Sequence, residues 1–438
     1  MALPLLKVKA GNQFLIDEND KPFFWLGDTA WELLHRLNGE ETAAYLDNRA
    51  KKGFTVVQTV ILAELDGLNT PNALGETPLL ENDPTRPNEK YFEHIDQVVH
   101  MARETGLYLG LLPTWGDKYN KKWGIGPEIF NPKNARIFGE YLAKRYGHHN
   151  HIIWILGGDR VPANEEDYQI NCKMALGLKR HAPRQLITLH PMGGHIASDI
   201  YGQESWLDLD MFQSRHQKGF KEYTFTRKAC KNKPTRPVID GEPGYENIPN
   251  LLNKMHVSRL NDFDVRRAAY WNMMSGAAGH TYGCNEVWQM YSIGKKALHG
   301  AYLNWREALD LPGSSQMGFM KKLFESLPWQ HLRPDPEIIG GFNFKNAAYI
   351  SAVMGIKKDM VLAYSPAGRS IHMKSDRLVP GQYPTFWFNP KQGTVSAAGI
   401  WDNEKNKKFK VPDKTKDWLL LILSEDKNEQ WQCPFPEV

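Results

Sequence analysis

Two acidic residues stand where an apolar run meets a glycine turn: Asp159 in HIIWILGGDR and Glu242 in PVIDGEPGYE. A strand that ends in Gly-Gly-Asp or Gly-Glu-Pro passes from core to acid within one or two residues, which mounts the carboxyl on a rigid element. Acids also follow strands as ordinary polar termini, so neither residue alone specifies chemistry. Together they match what acetal cleavage needs at neutral pH: one carboxyl protonated to donate to the leaving oxygen, another ionised. Asp159 is assigned as general acid/base, its pKa raised by partial burial and by the glutamate's charge. Glu242 is assigned as nucleophile, held ionised by polar neighbours. A carboxyl separation of roughly 5–5.5 Å would imply retention of configuration and roughly 6.5–9.5 Å inversion.

Such residues need a scaffold that brings distant strand ends together. From residue 23 to 290 strand-like runs alternate with amphipathic stretches such as EETAAYLDNRAKKG and HIDQVVHMARETG, whose apolar residues recur three or four apart. The expected strands are 23–30, 54–61, 107–115, 151–159, 186–191, 209–216, 237–243 and 279–288. Eight strands in this alternation predict an α/β fold, a (β/α)8 TIM barrel spanning 1–330. A doubly wound open sheet is the rival, but no GxGxxG follows the first strand and no Walker loop occurs.

In a barrel the carboxyl ends of the strands face one another. Here they carry Asp28 and Trp31, Glu64, Trp115 and Asp117, Asp159, His190, Gln213 and His216, Glu242 and Tyr245, then Asn285, Glu286 and Trp288. Acids, amides, imidazoles and indoles suit a sugar, which offers hydroxyl edges and weakly apolar C–H faces. Asp28, between two indoles in WLGDTAW, reads either as a hydroxyl-binding acid or as a helix cap. Glu64, Asp117 and Glu286 are weaker candidates. Asp240, two residues before Glu242, is expected on the same side of its strand, one layer deeper.

The chain has 438 residues, 41% hydrophobic and 24% charged, with net charge +4. That length implies a large domain plus a smaller one. Lys and Arg are interspersed with Asp and Glu, which disfavours nucleic-acid binding, and no apolar run reaches the roughly 20 residues of a membrane span. The opening MALPLLKVKAGNQF does not read as a secretory signal. Cys172, Cys230, Cys284 and Cys433 are widely spaced, so neither disulfides nor a cysteine metal site are expected. His148, His149 and His151 precede a strand at the end opposite Asp159 and read as a polar loop. The expectation is no metal and no cofactor, an oligosaccharide or polysaccharide as partner, and a monomer. Three other readings stay open: a retaining glycosidase of other plant or host polysaccharide specificity, a non-catalytic carbohydrate-binding barrel, and a metal-dependent barrel hydrolase or isomerase using His190 and His216.

The motifs FFWLGDTAWELLHRL, GFTVVQTVIL, WILGGDR, FQSRH and VIDGEPGYE resemble the apiosidase-like barrel hydrolases, once domain of unknown function 4038 and associated with glycoside hydrolase family 140. Clan-A glycosidases, to which the pattern is similar, usually end the fourth strand in Asn-Glu; Gly158-Asp159 stands there in this chain, as in the apiosidase-like pattern. The resemblance implies a retaining endo-apiosidase that cleaves the apiose–galacturonan linkage of the pectin rhamnogalacturonan II. It implies an extracytoplasmic location, in a bacterial periplasm or at the cell surface. The loops 64–90 and 116–132 would set the sugar, and Lys118, Lys121 and Lys122 either pair with uronates or are simply solvated.

From the boundary RPDPEIIGG onward, helical periodicity gives way to short strand-like runs. Residues 331–438 are expected to form a small antiparallel β-sandwich packed on the barrel. This part resembles the collagen-binding-type domain that accompanies apiosidase-like barrels, though no residue here specifies collagen. Trp387 and Trp401 read as core aromatics or as a sugar-binding surface.

Overall fold

The computed structural model describes residues 3–255 and 257–437. Eight parallel strands form the barrel: β1 (Trp25–Thr29), β2 (Val56–Leu62), β3 (Tyr108–Thr114), β4 (Ile152–Gly157), β5 (Ile187–His190), β6 (Asp210–Gln213), β7 (Val238–Glu242) and β8 (Gly279–Tyr282). Hydrogen bonding runs in the order β5-β4-β3-β2-β1-β8-β7-β6, so β8 pairs back onto β1. The remaining seam, between β5 and β6, is bridged by Asp208 N–H to Ile187 O at 2.9 Å and by the Thr188 hydroxyl to Leu209 O at 2.9 Å.

The period of two in each strand sorts its side chains into two layers. Trp25, Val56, Val60, Leu112, Ile153, Ile155, Met211 and Ile239 fill the barrel, whereas Leu26, Val57, Leu109, Leu111, Trp154 and Leu189 face the helices. Those helices are α1 (Gly39–Lys51), α2 (Glu89–Glu104), α3 (Pro132–Tyr146), α4 (Glu165–His181), α5 (Ala197–Tyr201), α6 (Glu222–Ala229), α7 (Asp262–Met273) and α8 (Pro312–Glu325). Asparagines set several of their starts: Asn38, Asn131 and Asn261 each accept from the third residue of a helix within a capping box. A three-stranded antiparallel sheet (Leu6–Lys7, Leu15–Asp17, Pro22–Phe23) closes the amino-terminal end, with Leu6 and Leu15 packed beside Trp25 and Tyr108.

Several predicted strands end early, among them 209–216, which stops at Gln213, and most of all the last. The run expected to reach 288 leaves the sheet at Tyr282, and residues Asn285–Trp288 turn into a short helix beginning where Asn285 N–H bonds Glu246 O.

Beyond the barrel lie β9 (Leu332–Pro334), β10 (Ser351–Gly355), β11 (Met360–Ser365), β12 (Ile371–Met373), β13 (Gln382–Asn389), β14 (Thr394–Asp402), β15 (Lys407–Phe409) and β16 (Trp418–Leu423). Six form one antiparallel sheet, β9-β10-β11-β16-β13-β14, and β12 pairs with β15 in a ribbon. Alternation again decides the packing. Leu362, Tyr364, Leu419, Leu421 and Leu423 share one core with the barrel helices, while Val361, Ala363, Leu420 and Ile422 pack with Ile371, Met373 and Phe409 of the ribbon. Trp387 and Trp401 belong to that second core, 5% and 2% exposed. Both therefore pack internally and offer no sugar-binding surface.

Candidate active site

The loop after β4 makes three consecutive left-handed turns, with φ of 91° at Gly157, 83° at Gly158 and 61° at Asp159. Glycine is required at the first two positions: a Cβ on Gly157 would stand 2.4 Å from His190 O, and one on Gly158 would stand 2.6 Å from Gly116 N. Gly116 N–H bonds Gly158 O at 3.0 Å, tying this loop to the end of β3. Asp159 tolerates its left-handed backbone because a short polar side chain is among those that visit it.

Glu242 reaches the mouth by a different device. Ile239 points into the barrel, so strict alternation would turn Asp240 and Glu242 outward together. A register shift between Asp240 and Glu242 breaks the alternation, pairing Glu242 with the inward-facing Gln213. Gly241 permits the kink, since a Cβ there would meet the Met211 sulfur at 2.4 Å, and Gln58 Nε2 donates to Gly241 O at 2.8 Å. Asp240 stays outside, where it accepts from Asn272 of α7 at 3.0 Å. It does not lie one layer below Glu242 as the simple period predicts.

Two histidines converge on Glu242. His216 Nε2 lies 3.2 Å from Oε1 and His190 Nε2 lies 3.0 Å from Oε2, the latter a close contact off the hydrogen-bond line. Each ring is oriented from behind by a backbone amide: Asp159 N–H reaches His190 Nδ1 and Tyr245 N–H reaches His216 Nδ1, both at 3.3 Å. A nitrogen that accepts carries no proton, so both rings hold theirs on Nε2, aimed at the carboxylate. Of the two, His216 makes the hydrogen bond to the carboxylate. Among the described residues no group of three or more His, Cys, Asp or Glu side chains converges as metal ligands.

The protonation states separate accordingly. Burial raises the Asp159 carboxyl, the charge of Glu242 raises it further, and it reaches about 7. Burial acts in the same direction on Glu242, but the two imidazoles outweigh it and hold that carboxyl well below the ordinary glutamate range. Burial and the charge of Asp159 push Glu64, a third acid in the same pocket, well above its usual value. Near neutrality one ionised carboxylate thus faces two acids that can hold protons, which is the division of labour acetal cleavage requires.

These groups line a cavity of about 470 Å³ that also exposes Trp31, Trp115, Gln213, His216, Tyr245 and Trp288. Trp31 and Trp115 lie 5.3 Å apart and flank His190, and the Trp31 indole donates to the Tyr245 hydroxyl at 3.0 Å. Trp115 Nε1, Gln213 Oε1 and Glu242 Oε2 have no hydrogen-bond partner in the protein.

Several predicted residues sit elsewhere. Asp28 shares the outward phase of Leu26, and its carboxylate bonds Arg49 Nε at 2.7 Å and the Tyr45 hydroxyl at 2.5 Å inside the helix layer. Asp117 is wholly buried against Lys118 at 2.7 Å and accepts from Ile125 and Gly126 N–H, clasping its own loop. That pairing removes Lys118 from any uronate, whereas Lys121 and Lys122 are exposed. Asn285 backs Trp288, 3.4 Å from its indole nitrogen, and Glu286 accepts from Asn247 at 2.8 Å. Sequence reasoning missed Trp123, Arg215, Ile248, Leu251, Leu252 and Leu298, all in the lining. Arg215 lies within FQSRH itself and Ile248 two residues past PGYE; the others lie in loops whose path no periodicity reveals.

A barrel with acidic side chains gathered at its carboxyl-terminal mouth is the architecture of a glycoside hydrolase, and comparison with known proteins gives that class. The chain belongs to the apiosidase-like family: the model described as "Apiosidase-like, catalytic domain" matches residues 9–331. A second, described as "Putative collagen-binding domain of a collagenase", matches 333–423. Among solved structures, one named only as a glycoside hydrolase is 30% identical with a TM-score of 0.89, covering 97% of this chain and 98% of the other. A glycoside hydrolase family 5 protein from Bacteroides vulgatus is 29% identical with a TM-score of 0.90, covering 98% and 95%. No curated protein matches. No helix among the described residues is long and apolar enough to cross a membrane.

Proposed function

We propose that this enzyme is a retaining endo-apiosidase that cleaves the apiose–galacturonan linkage of rhamnogalacturonan II, acting outside the cytoplasm as a monomer. The observation that carries the catalytic part is that Asp159 and Glu242 line one pocket, with His190 and His216 set 3.0 and 3.2 Å from the Glu242 carboxylate. Asp159 donates its proton to the glycosidic oxygen as Glu242 attacks the anomeric carbon to form a glycosyl ester. Deprotonated Asp159 then takes a proton from the water that breaks this ester. Trp31, Trp115 and Trp288 stack on the sugar, while Gln213, Tyr245 and Glu64 bind its hydroxyls. Family membership supports apiose as the sugar.

The test is hydrolysis of a pectin-oligosaccharide panel that includes rhamnogalacturonan II, with released sugars followed by chromatography and the first-formed anomer by proton NMR. Release of apiose-terminated side chains by wild type, lost in Asp159→Asn and Glu242→Gln, is the expected result. Silence across the panel would withdraw the pectin assignment, and an inverted anomer would withdraw retention.

A further inference from the structure

The pocket is layered by polarity. Trp31, Trp115, Trp288 and Tyr245 are 2–5% exposed and surround the carboxyls. The outer lining is open and, apart from Arg215 and His299, mostly apolar: Trp123 is 56% exposed, Leu251 61% and Leu252 40%, with the more buried Ile248 and Leu298 beside them. We infer that this rim is a binding site for a planar, hydroxyl-poor aglycone, and that the enzyme also hydrolyses glycosides of aromatic alcohols.

Three observations support it. First, Trp123 is exposed yet held: the Arg160 guanidinium lies 4.2 Å from its ring centroid, and Arg160 is itself fixed by bonds to Asn120 O at 2.6 Å and Lys121 O at 3.0 Å. Such a clamp on the residue next to Asp159 places an indole platform on the side where the leaving group receives its proton. Second, Leu251 and Leu252 adopt φ of 58° and 55°, a conformation unfavourable for such side chains. The strain is maintained by Leu251 N–H bonding His216 O at 2.7 Å, which ties the turn to a histidine that touches Glu242. Third, aliphatic side chains offer nothing to hydroxyls. A sugar residue seated against Leu251 and Leu252 would leave polar groups dehydrated without partners, whereas an aryl ring would bury apolar surface on both sides.

The chemistry balances with the groups already in place. Asp159 gives its proton to the departing aryl oxygen, the glycosidic C–O bond breaks, and Glu242 forms the ester that water then hydrolyses. This inference rests on the glycosidase roles of Asp159 and Glu242 and is independent of the pectin assignment.

The test is titration of the full-length enzyme with 7-hydroxyflavone, followed by calorimetry and tryptophan fluorescence, with trigalacturonate as a hydroxyl-rich probe. Saturable 1:1 flavone binding is expected, weakened about tenfold in Trp123→Ala and in the Leu251→Ser/Leu252→Ser double variant, and largely retained in Trp123→Phe. Circular dichroism melts check that the variants remain folded. No saturable binding, equal binding by all variants, or trigalacturonate binding tighter than the flavone and lost with Trp123 would overturn the inference. Turnover of the flavone glycoside of whichever sugar the panel identifies is the second readout, with KM expected to rise about tenfold in the rim variants.

Discussion

The molecule contains two buried charge clusters built on opposite principles. At the junction between the barrel and the C-terminal sheet, Arg266 of α7 meets Asp417 in a two-bond fork of 2.8 and 2.7 Å, and its third nitrogen bonds Gln316 at 2.5 Å. Tyr364 adds a hydroxyl to Asp417 at 3.0 Å, so neither charged group leaves a buried polar atom unpartnered. At the mouth, Glu242 Oε2, Gln213 Oε1 and Trp115 Nε1 are left without protein hydrogen bonds, and the adjoining backbone is strained. A complete network fixes two layers against each other; an incomplete one keeps its bonding capacity for something else. Charge and burial alone do not separate the two; completeness does.

The largest expected effect tests the incomplete cluster. Glu242→Gln preserves shape but removes the ionised nucleophile, so kcat should fall by about 10⁴-fold or more. Thermal stability should hold or rise, because a charge sitting in an unfinished network is relieved. Destabilisation together with inactivity would mean that Glu242 belongs with Arg266 as a structural ion. Steady-state kinetics and calorimetric melting on the same preparation decide it.

Asp159→Asn should lower kcat by about 10²- to 10⁴-fold, and the pH profile carries the sharper information. The acid must be protonated, so wild-type activity should fall as pH rises through about 7, and the residual activity of the variant should lack that limb. Glu242 must be ionised, and its depressed pKa places the acidic limb below the ordinary glutamate range. A basic limb that survives in Asp159→Asn would transfer the acid role to Glu64.

At the junction the same substitution logic should give the reverse outcome. Asp417→Asn leaves Arg266 buried with only Asp262, 3.2 Å away, as a charged partner, at a cost of at most about 3–5 kcal/mol in stability. Well below the melting temperature kcat should stay within about twofold, since the site is built on the barrel alone. Loss of activity without loss of stability would show that the sheet positions the mouth, and would end the contrast.

The barrel was legible in sequence because β2, β3 and β4 are rich in Val, Ile or Leu and recur between amphipathic helical stretches, and the acids at the strand ends could be read as a set. Phase was harder. WLGDT does not announce that Trp25 fills the barrel and so sends Asp28 outward to Arg49. The bulge that turns Glu242 inward depends on Gly241 meeting Met211, a contact between residues thirty positions apart. Trp123, Leu251 and Leu252 escaped notice for another reason: in loops a side chain's direction follows from tertiary ties such as the Arg160 clamp, not from a period.

His216→Asn gives the smallest effect and the finest test of the comparison. It removes the Nε2–H donor that bonds Glu242 Oε1 and the acceptor of Tyr245 N–H, while the His190 contact at 3.0 Å remains. A hydrogen bond to a charged group contributes about 1.5–3 kcal/mol, so kcat should drop roughly ten- to a hundredfold. The acidic limb should move up in pH, because burial now acts on Glu242 against a single imidazole. At the junction, Tyr364→Phe removes a comparable donor from Asp417, yet Arg266 still forks onto both oxygens, and only a small loss of stability should follow. A shifted acidic limb in the first variant with no shift in the second places the tuning of Glu242 in its histidines. An unmoved limb in His216→Asn would assign that tuning to His190 alone.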